Sequence, residues 1–345
     1  MLPLHTFFLR AQFRNILTLS LLLSCNSLTA EDLTSDQLEF YLAQSFSASL
    51  SSQRVALNHI GVEIERHNND YIISASLEGY PAHAAGLERG DIIHSIDGAP
   101  YHPVYSFNDE NEDVNDFFPK PETYTLEFER GGNRQTIEIV TVFENLYDSY
   151  RSAAENSVLK FSSGNKVIGY VRLWGFSRST NDFIALQTML KQFDDCDGLI
   201  LDLRNSFGFL AESHLDFFQQ RSGGYTERDT VFFESIPFSQ EIEYFTRPIA
   251  ILINKKTRGG GELLVDALDG RERIMSIGQP SAGKTGLYIN DPADQNKLIY
   301  NGPESSYANF DIPVTPEYFA DYPISLNTRS DPQYESAVSF LLGTI

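Results

Sequence analysis

The chain has 345 residues, enough for two domains and a sizeable core, and 41% hydrophobic with 21% charged residues is a globular composition. With 26 Lys and Arg against 47 Asp and Glu the net charge is −21, which excludes a general electrostatic footprint for nucleic acid or anionic lipid. Two cysteines, at Cys25 and Cys196, leave no internal disulfide once Cys25 is removed or acylated.

Residues 1–30 read as a signal segment. Arg10 and Arg14 supply the positive region, and Ile16 to Leu23 an apolar stretch too short to span a bilayer comfortably. The run "LLSC" ending at Cys25 is similar to a bacterial lipoprotein box, and "SLTA" ending at Ala30 to an ordinary cleavage site. The expectation is export, to the periplasm or as an outer-membrane-anchored lipoprotein, with Cys25 a candidate lipid attachment. Residues 31–56 form a helical lead-in. There Leu38, Tyr41, Leu42 and Phe46 recur at helical spacing, and Thr34, Ser35 and Asp36 offer cap oxygens.

Residues 57–143 read as a small β-rich module. "IGVEIE" and "YIISASL" are strand patterns, "PAHAAGL" is a helical turn, and "GDIIHSIDG" is a strand entering an Asp97-Gly98 turn. "TYTLEFERGGNRQTIEIVTV" reads as a hairpin about Gly131-Gly132. The acidic run 107–116 carries Asp109, Asn111 and Asp113 at the first spacings of a calcium loop. Val114 stands where that loop needs Gly and Lys120 where it needs Glu, so a solvated loop is expected and no metal site.

From residue 150 the rhythm becomes strand–helix–strand. "KVIGYVRL", "DGLILDLR", "IAILIN" and "RIMSIG" are strands, and their continuous apolar character suits a parallel sheet buried on both faces. "NDFIALQTMLKQF" is an amphipathic helix with Phe183, Leu186, Met189, Leu190 and Phe193 on one side. Cys196 in "FDDCDG" reads as a half-exposed loop thiol, and His214 as a helix-surface residue. "GQPSAGKT", Gly278 to Thr285, matches the phosphate-loop pattern letter for letter, but the turn-rich sequel with Pro292 denies it the required helix.

The first module, through "HIGVEIE", "YPAHAAGLERGDIIHSIDG" and "YTLEFERGGNRQTIEI", resembles a PDZ domain of bacterial proteases. That resemblance implies an edge strand to which a polypeptide tail adds, and a carboxylate-binding loop at His59, Ile60, Gly61 and Val62. His59 stands where the family has its first glycine. Residues 150–345 resemble the tail-specific, C-terminal-processing serine peptidases of family S41. The motifs are "VIGYVRL", "DGLILDLRN", "RPIAILIN", "GELLVDAL", "IGQPSAGKTG" and "DPQYESAVSFLLG". The fold implied is an α/β core of the ClpP/crotonase-like type beside the PDZ-like domain.

The family's serine–lysine chemistry needs a lysine left neutral beside a hydroxyl, with backbone N–H groups for the oxyanion. The resemblance puts the base at Lys284 and the nucleophile position 25 residues earlier, at Gly259, with Glu262 fixing the register. Gly208 and Gly260 fall at the oxyanion backbone. Phe209 replaces the second glycine of the motif after "DLR", and Tyr288 stands where a glutamine is common. Thr257 and Ser281 are the nearby hydroxyls that could substitute.

The expected function is therefore an exported peptidase homologue that recognises polypeptide C-terminal tails and is catalytically impaired. An active serine endopeptidase, with Gly259 introduced or bypassed, and a non-catalytic envelope scaffold are the alternatives. No cofactor is implied. The expected partner is a polypeptide with a free C-terminus.

Overall fold

The computed structural model describes residues 32–47, 54–111, 116–219, 244–303, 313–326 and 329–345. Arg10, Arg14, Cys25, Ala30, Asp113 and Val114 lie outside the described residues. Strand β1 (Leu33–Thr34) precedes helix α1 (Leu38–Phe46). Tyr41, Leu42 and Phe46 are buried, as their spacing predicts. The cap differs from expectation: Gln37 is the N-cap and makes no side-chain cap bond. Thr34 is held in a strand pair with Lys297, and its hydroxyl turns to Asp36 instead.

The next strands are β2 (Leu57–His59), β3 (Val62–His67) and β4 (Asp70–Ser76), followed by the short helix α2 (Pro81–Ala84). Then come β5 (Ile92–Ile96), β6 (Ala99–Pro100), β7 (Thr123–Arg130), β8 (Asn133–Val140) and β9 (Val142–Glu144). The sheet order is β3-β4-β5-β7-β8, with β6 on β5 and a separate β2–β9 pair. Both predicted hairpin dipeptides have positive φ at each residue, the form that matches strand twist: Asp97 and Gly98 at 50° and 79°, Gly131 and Gly132 at 57° and 80°. Ile60, Ile73 and Leu126 centre a core of their own. β3 is one of the two outer strands of this sheet, with β8 at the other edge, and carries a bulge at Glu63/Ile64.

Helix α3 (Leu146–Asn156), capped by the Asn145 side chain, leads into the α/β core. Its elements are β10 (Leu159–Ser163), β11 (Lys166–Arg172), β12 (Gly175–Phe176), α4 (Thr180–Lys191), β13 (Gly198–Asp202) and β14 (Phe207–Gly208). After them come β15 (Ile249–Ile253), α5 (Gly260–Leu268) and β16 (Ile274–Gly278). The chain finishes with β17 (Gly286–Asn290), β18 (Lys297–Pro303), β19 (Tyr318–Phe319) and α6 (Pro332–Thr344). The main sheet runs β10-β11-β13-β15-β16-β19 and is parallel from β11 onward. Its central strands are buried on both faces. Leu199, Leu201, Ile251 and Ile253 join the large core with α1 and α3. Ile200, Ala250 and Leu252 meet Ala337 and Leu341 of α6. That two-sided cover is why these strands read as unbroken apolar runs.

Two surface readings are corrected. Cys196 is buried, not half-exposed, because Phe193 and Leu199 beside it carry its loop into the core. Burial and Asp195 push the thiol up to about 11. His214 is also buried, in a 3-10 turn (Glu212–Phe217) wedged edge-on between Phe176 and Phe183. The phosphate-loop pattern is followed by strand β17, so no helix start is there to hold a phosphate.

Candidate active site

The turn between β15 and α5 brings Gly259 and Lys284 together. Gly259 has φ 60° and ψ −123°, a conformation that residues with a Cβ rarely adopt. A sharp, strained strand-to-helix turn of this kind is how a serine hydrolase raises its nucleophile. Here the position carries no side chain. Its N–H donates to the Lys284 carbonyl at 2.8 Å and to Glu262 Oε2 at 3.2 Å. The Lys284 side chain is half-buried.

Glu262 joins the two segments. It is fully buried, and its carboxylate accepts from Ser281 Oγ at 2.6 Å, from the Lys284 N–H at 2.9 Å, and from the Gly283 N–H. Burial outweighs those bonds and raises its pKa above the ordinary glutamate range. The glycine run reflects close approach on every side. A Cβ at Gly260 would meet Phe176 Cβ at 2.9 Å, and one at Gly261 would collide with Ser206 Oγ. A Cβ at Gly259 would fall inside contact distance of the Gly208 carbonyl oxygen.

That last contact fixes the local polarity. Gly208, paired with Phe176 across β14 and β12, turns its carbonyl oxygen toward Gly259. The following N–H, of Phe209, donates to the Phe176 carbonyl at 2.7 Å. The Gly208 carbonyl oxygen therefore crowds the glycine turn, and the Gly208 nitrogen lies 3.4 Å from the same Cβ position. The Phe209 side chain is half-buried against the large core. Tyr288 is buried in β17, edge-to-face with Tyr300.

The substitute hydroxyls are both engaged. Thr257 Oγ1 donates to the Leu203 carbonyl at 2.9 Å, and Ser281 Oγ to Glu262; each residue is buried. We expect Gly259→Ala and Gly259→Ser to lower stability alike, by about 1–3 kcal/mol, through the forced φ and the Gly208 oxygen. Thermal melting of the two variants beside the unmodified chain checks this. A melting temperature unchanged in both would remove the argument.

Sequence reasoning passed over one part of the site's frame. Asp202, at the end of β13, is fully buried and binds Arg204 through Nε and Nη2 and the Tyr170 hydroxyl at 2.9 Å. Arg204 Nη1 continues to Asp331, the N-cap of α6, at 2.7 Å. Desolvation is the largest influence on Asp202 and pushes it up. The charges of Arg204 and Arg172 and the Arg204 bonds prevail and hold it below the usual range. The signal was present as two charges closing the apolar run "GLILDLR".

His59 is buried and stacked on Tyr80. Its Nδ1 accepts the Gly61 N–H at 3.1 Å, and its Nε2 meets Ser149 Oγ at 3.1 Å. Ser149 and Tyr80 both donate to Glu144, at 2.8 and 2.5 Å. Among the described residues no group of three or more His, Cys, Asp or Glu is placed to hold a metal, and no helix is long and apolar enough to cross a membrane.

The chain is similar in sequence to known proteins. Residues 167–307 match the model of peptidase family S41. A carboxyl-terminal-processing protease from Synechocystis is 26% identical over 299 residues, covering 82% of this chain and 68% of that protein. The carboxy-terminal processing protease CtpA of Bacillus subtilis is 24% identical over 268 residues, covering 70% of this chain and 50% of that one. The solved photosystem II D1 C-terminal processing protease aligns at 19% identity and a TM-score of 0.45, over 81% of this chain and 76% of that one. The chain thus spans about half to two thirds of the length of the curated relatives it matches. The segment that is similar to peptidase family S41 runs from β11 through β18 and holds both Gly259 and Lys284.

Proposed function

We propose that this protein is an exported, bacterial S41 peptidase homologue that binds unstructured polypeptide without cleaving it. The observation that carries this reading is Gly259 itself. It occupies the strained helix-start turn tied to Lys284, without a hydroxyl, and with the Gly208 carbonyl beside it. In this reading Lys284 is a retained general-base position. Oxyanion roles for Gly208 and Gly260 would rest on their own N–H groups, with the Gly208 carbonyl oxygen crowding the turn between them. Residues 57–143 act as a PDZ-like recognition module whose outer strand β3 accepts an extended chain. Export rests on the signal-like first 30 residues, and attachment through a lipid on Cys25 on the lipobox-like run.

The test is hydrolysis of unstructured polypeptides with free tails by the unmodified chain and by Lys284→Ala. No turnover by either is expected. Robust turnover lost in Lys284→Ala would overturn the proposal and favour an active serine peptidase. Thr257 and Ser281 are buried and committed to local bonds, which counts against a relocated nucleophile. A serine-reactive probe should label neither residue.

A further inference from the structure

Resting on that polypeptide-binding reading, the loop His59–Val62 and the groove beside β3 bear on which part of a polypeptide is held. Capturing a terminal carboxylate needs free backbone N–H groups at the end of the accepting strand. The Gly61 N–H is not free, since His59 Nδ1 takes it at 3.1 Å. The imidazole is fixed from both sides, by Ser149 Oγ at its Nε2 and by the Tyr80 ring against its face. Burial lowers its pKa to about 4, so at neutral pH it presents no positive charge to an anion. Behind it lies the Glu144 carboxylate, reached through Ser149 and Tyr80. A peptide carboxylate docked here would lose the Gly61 donor and approach a fixed negative charge.

Further along β3 a groove of about 490 Å3 opens between the strand and the lead-in helix α1. Glu63, Ile64 and Arg66 of β3 form one wall, and Leu38, Glu39 and Leu42 of α1 the other. Asp36 lies at the same groove, so the carboxylates of Asp36 and Glu39 face the one guanidinium of Arg66 there, beside a Glu63 already paired with Lys256. Glu63 is nearly buried, pairs with Lys256 at 3.7 Å, and is pushed up by burial. Lys256 Nζ also caps the Ile64 carbonyl at 2.7 Å, a flexible stem that an incoming strand can displace. The apolar side chains of α1 suit the alternate residues of an extended chain, and the carboxylates suit a cationic one.

We infer that the β3 groove binds an internal, lysine- or arginine-bearing polypeptide segment, and that His59 closes the module to a free C-terminal carboxylate. The experiment is fluorescence anisotropy of the full chain with four labelled unstructured peptides of one length. Two carry lysines at alternate positions and two carry glutamates, each with a free or an amidated C-terminus. The lysine peptides should bind, with amidation changing Kd less than twofold and glutamate weakening it at least tenfold. Glu39→Lys should reverse the charge preference, and His59→Gly should create a preference for the free carboxylate. Tenfold weaker binding of the amidated lysine peptide by the unmodified chain would overturn the inference while leaving polypeptide binding intact. Charge-blind binding unaltered in Glu39→Lys would do the same. Binding of none of the four would overturn the polypeptide-binding reading, and this inference with it.

Discussion

Replacing Arg204 with methionine should cost about 3–5 kcal/mol of stability at pH 7, because it strips a fully buried carboxylate of its ion-pair partner. Asp202 would keep the Tyr170 hydroxyl and the more distant Arg172 charge, neither of which replaces the paired Nε and Nη2 donors. The link to Asp331 at the start of α6 would go as well. The paired variant Asp202→Asn/Arg204→Met should recover much of the loss, since it leaves no charge stranded. The pH dependence has a definite sign. Asp202 is held below its ordinary value in the folded state, so its contribution is present above the unfolded pKa and lost as pH falls through the folded one. The gap between the unmodified chain and Arg204→Met should therefore narrow as the solution is acidified. Urea unfolding of the three proteins at pH 7 and pH 4 tests this. A loss under 1 kcal/mol for Arg204→Met at pH 7 would show that the pair carries little.

Mild acid should destabilise the protein through two histidines. Burial lowers both His59 and His214 from 6.5 to about 4. For His214 the Ala211 carbonyl and Asp182 oppose that shift without cancelling it. The unfolded chain takes up a proton at each below pH 6.5, while the folded chain resists until about pH 4. Stability is complete above 6.5 and falls across that interval, by roughly 3 kcal/mol for each histidine. Glu63, Glu78 and Glu262 have raised values and act with the opposite sign, their charged forms being the costly ones near neutrality. The readable quantity is therefore a difference between proteins. His59→Asn/His214→Asn keeps an acceptor near each Nδ1 and should lose the acid-side slope over pH 6.5 to 4. A slope identical to that of the unmodified chain would assign the lability elsewhere.

Much of the fold was legible because its strands carry two kinds of local signal. The central parallel strands are covered on both faces and cannot alternate, so "GLILD" and "IAILI" announce themselves as apolar runs. The hairpins at Asp97-Gly98 and Gly131-Gly132 are set by the positive φ that their residues tolerate. The juxtaposition of Gly259 and Lys284 followed from family resemblance together with the register given by Glu262. What Glu262 does was not legible, because its hydrogen bonds to the loop 281–284 exist only once β15 and β16 lie side by side. The same holds for His59 and His214, whose burial depends on the sequence-distant rings of Tyr80, Phe176 and Phe183. The cap of α1 was misread because pairing between Thr34 and Lys297 decides where that helix begins.

The Gly208 carbonyl at the glycine turn has an evolutionary meaning. A serine placed back at position 259 would find its Cβ site taken by that oxygen, held by a peptide whose N–H is already spoken for by Phe176. A serine there would incur a stability loss at the first step unless a second change relieved the contact with the Gly208 oxygen. Two coordinated substitutions are far rarer than one, so the surrounding backbone works as a ratchet. In the proposed non-cleaving reading, a chain with glycine at position 259 would have little prospect of gaining hydrolysis by a single substitution there.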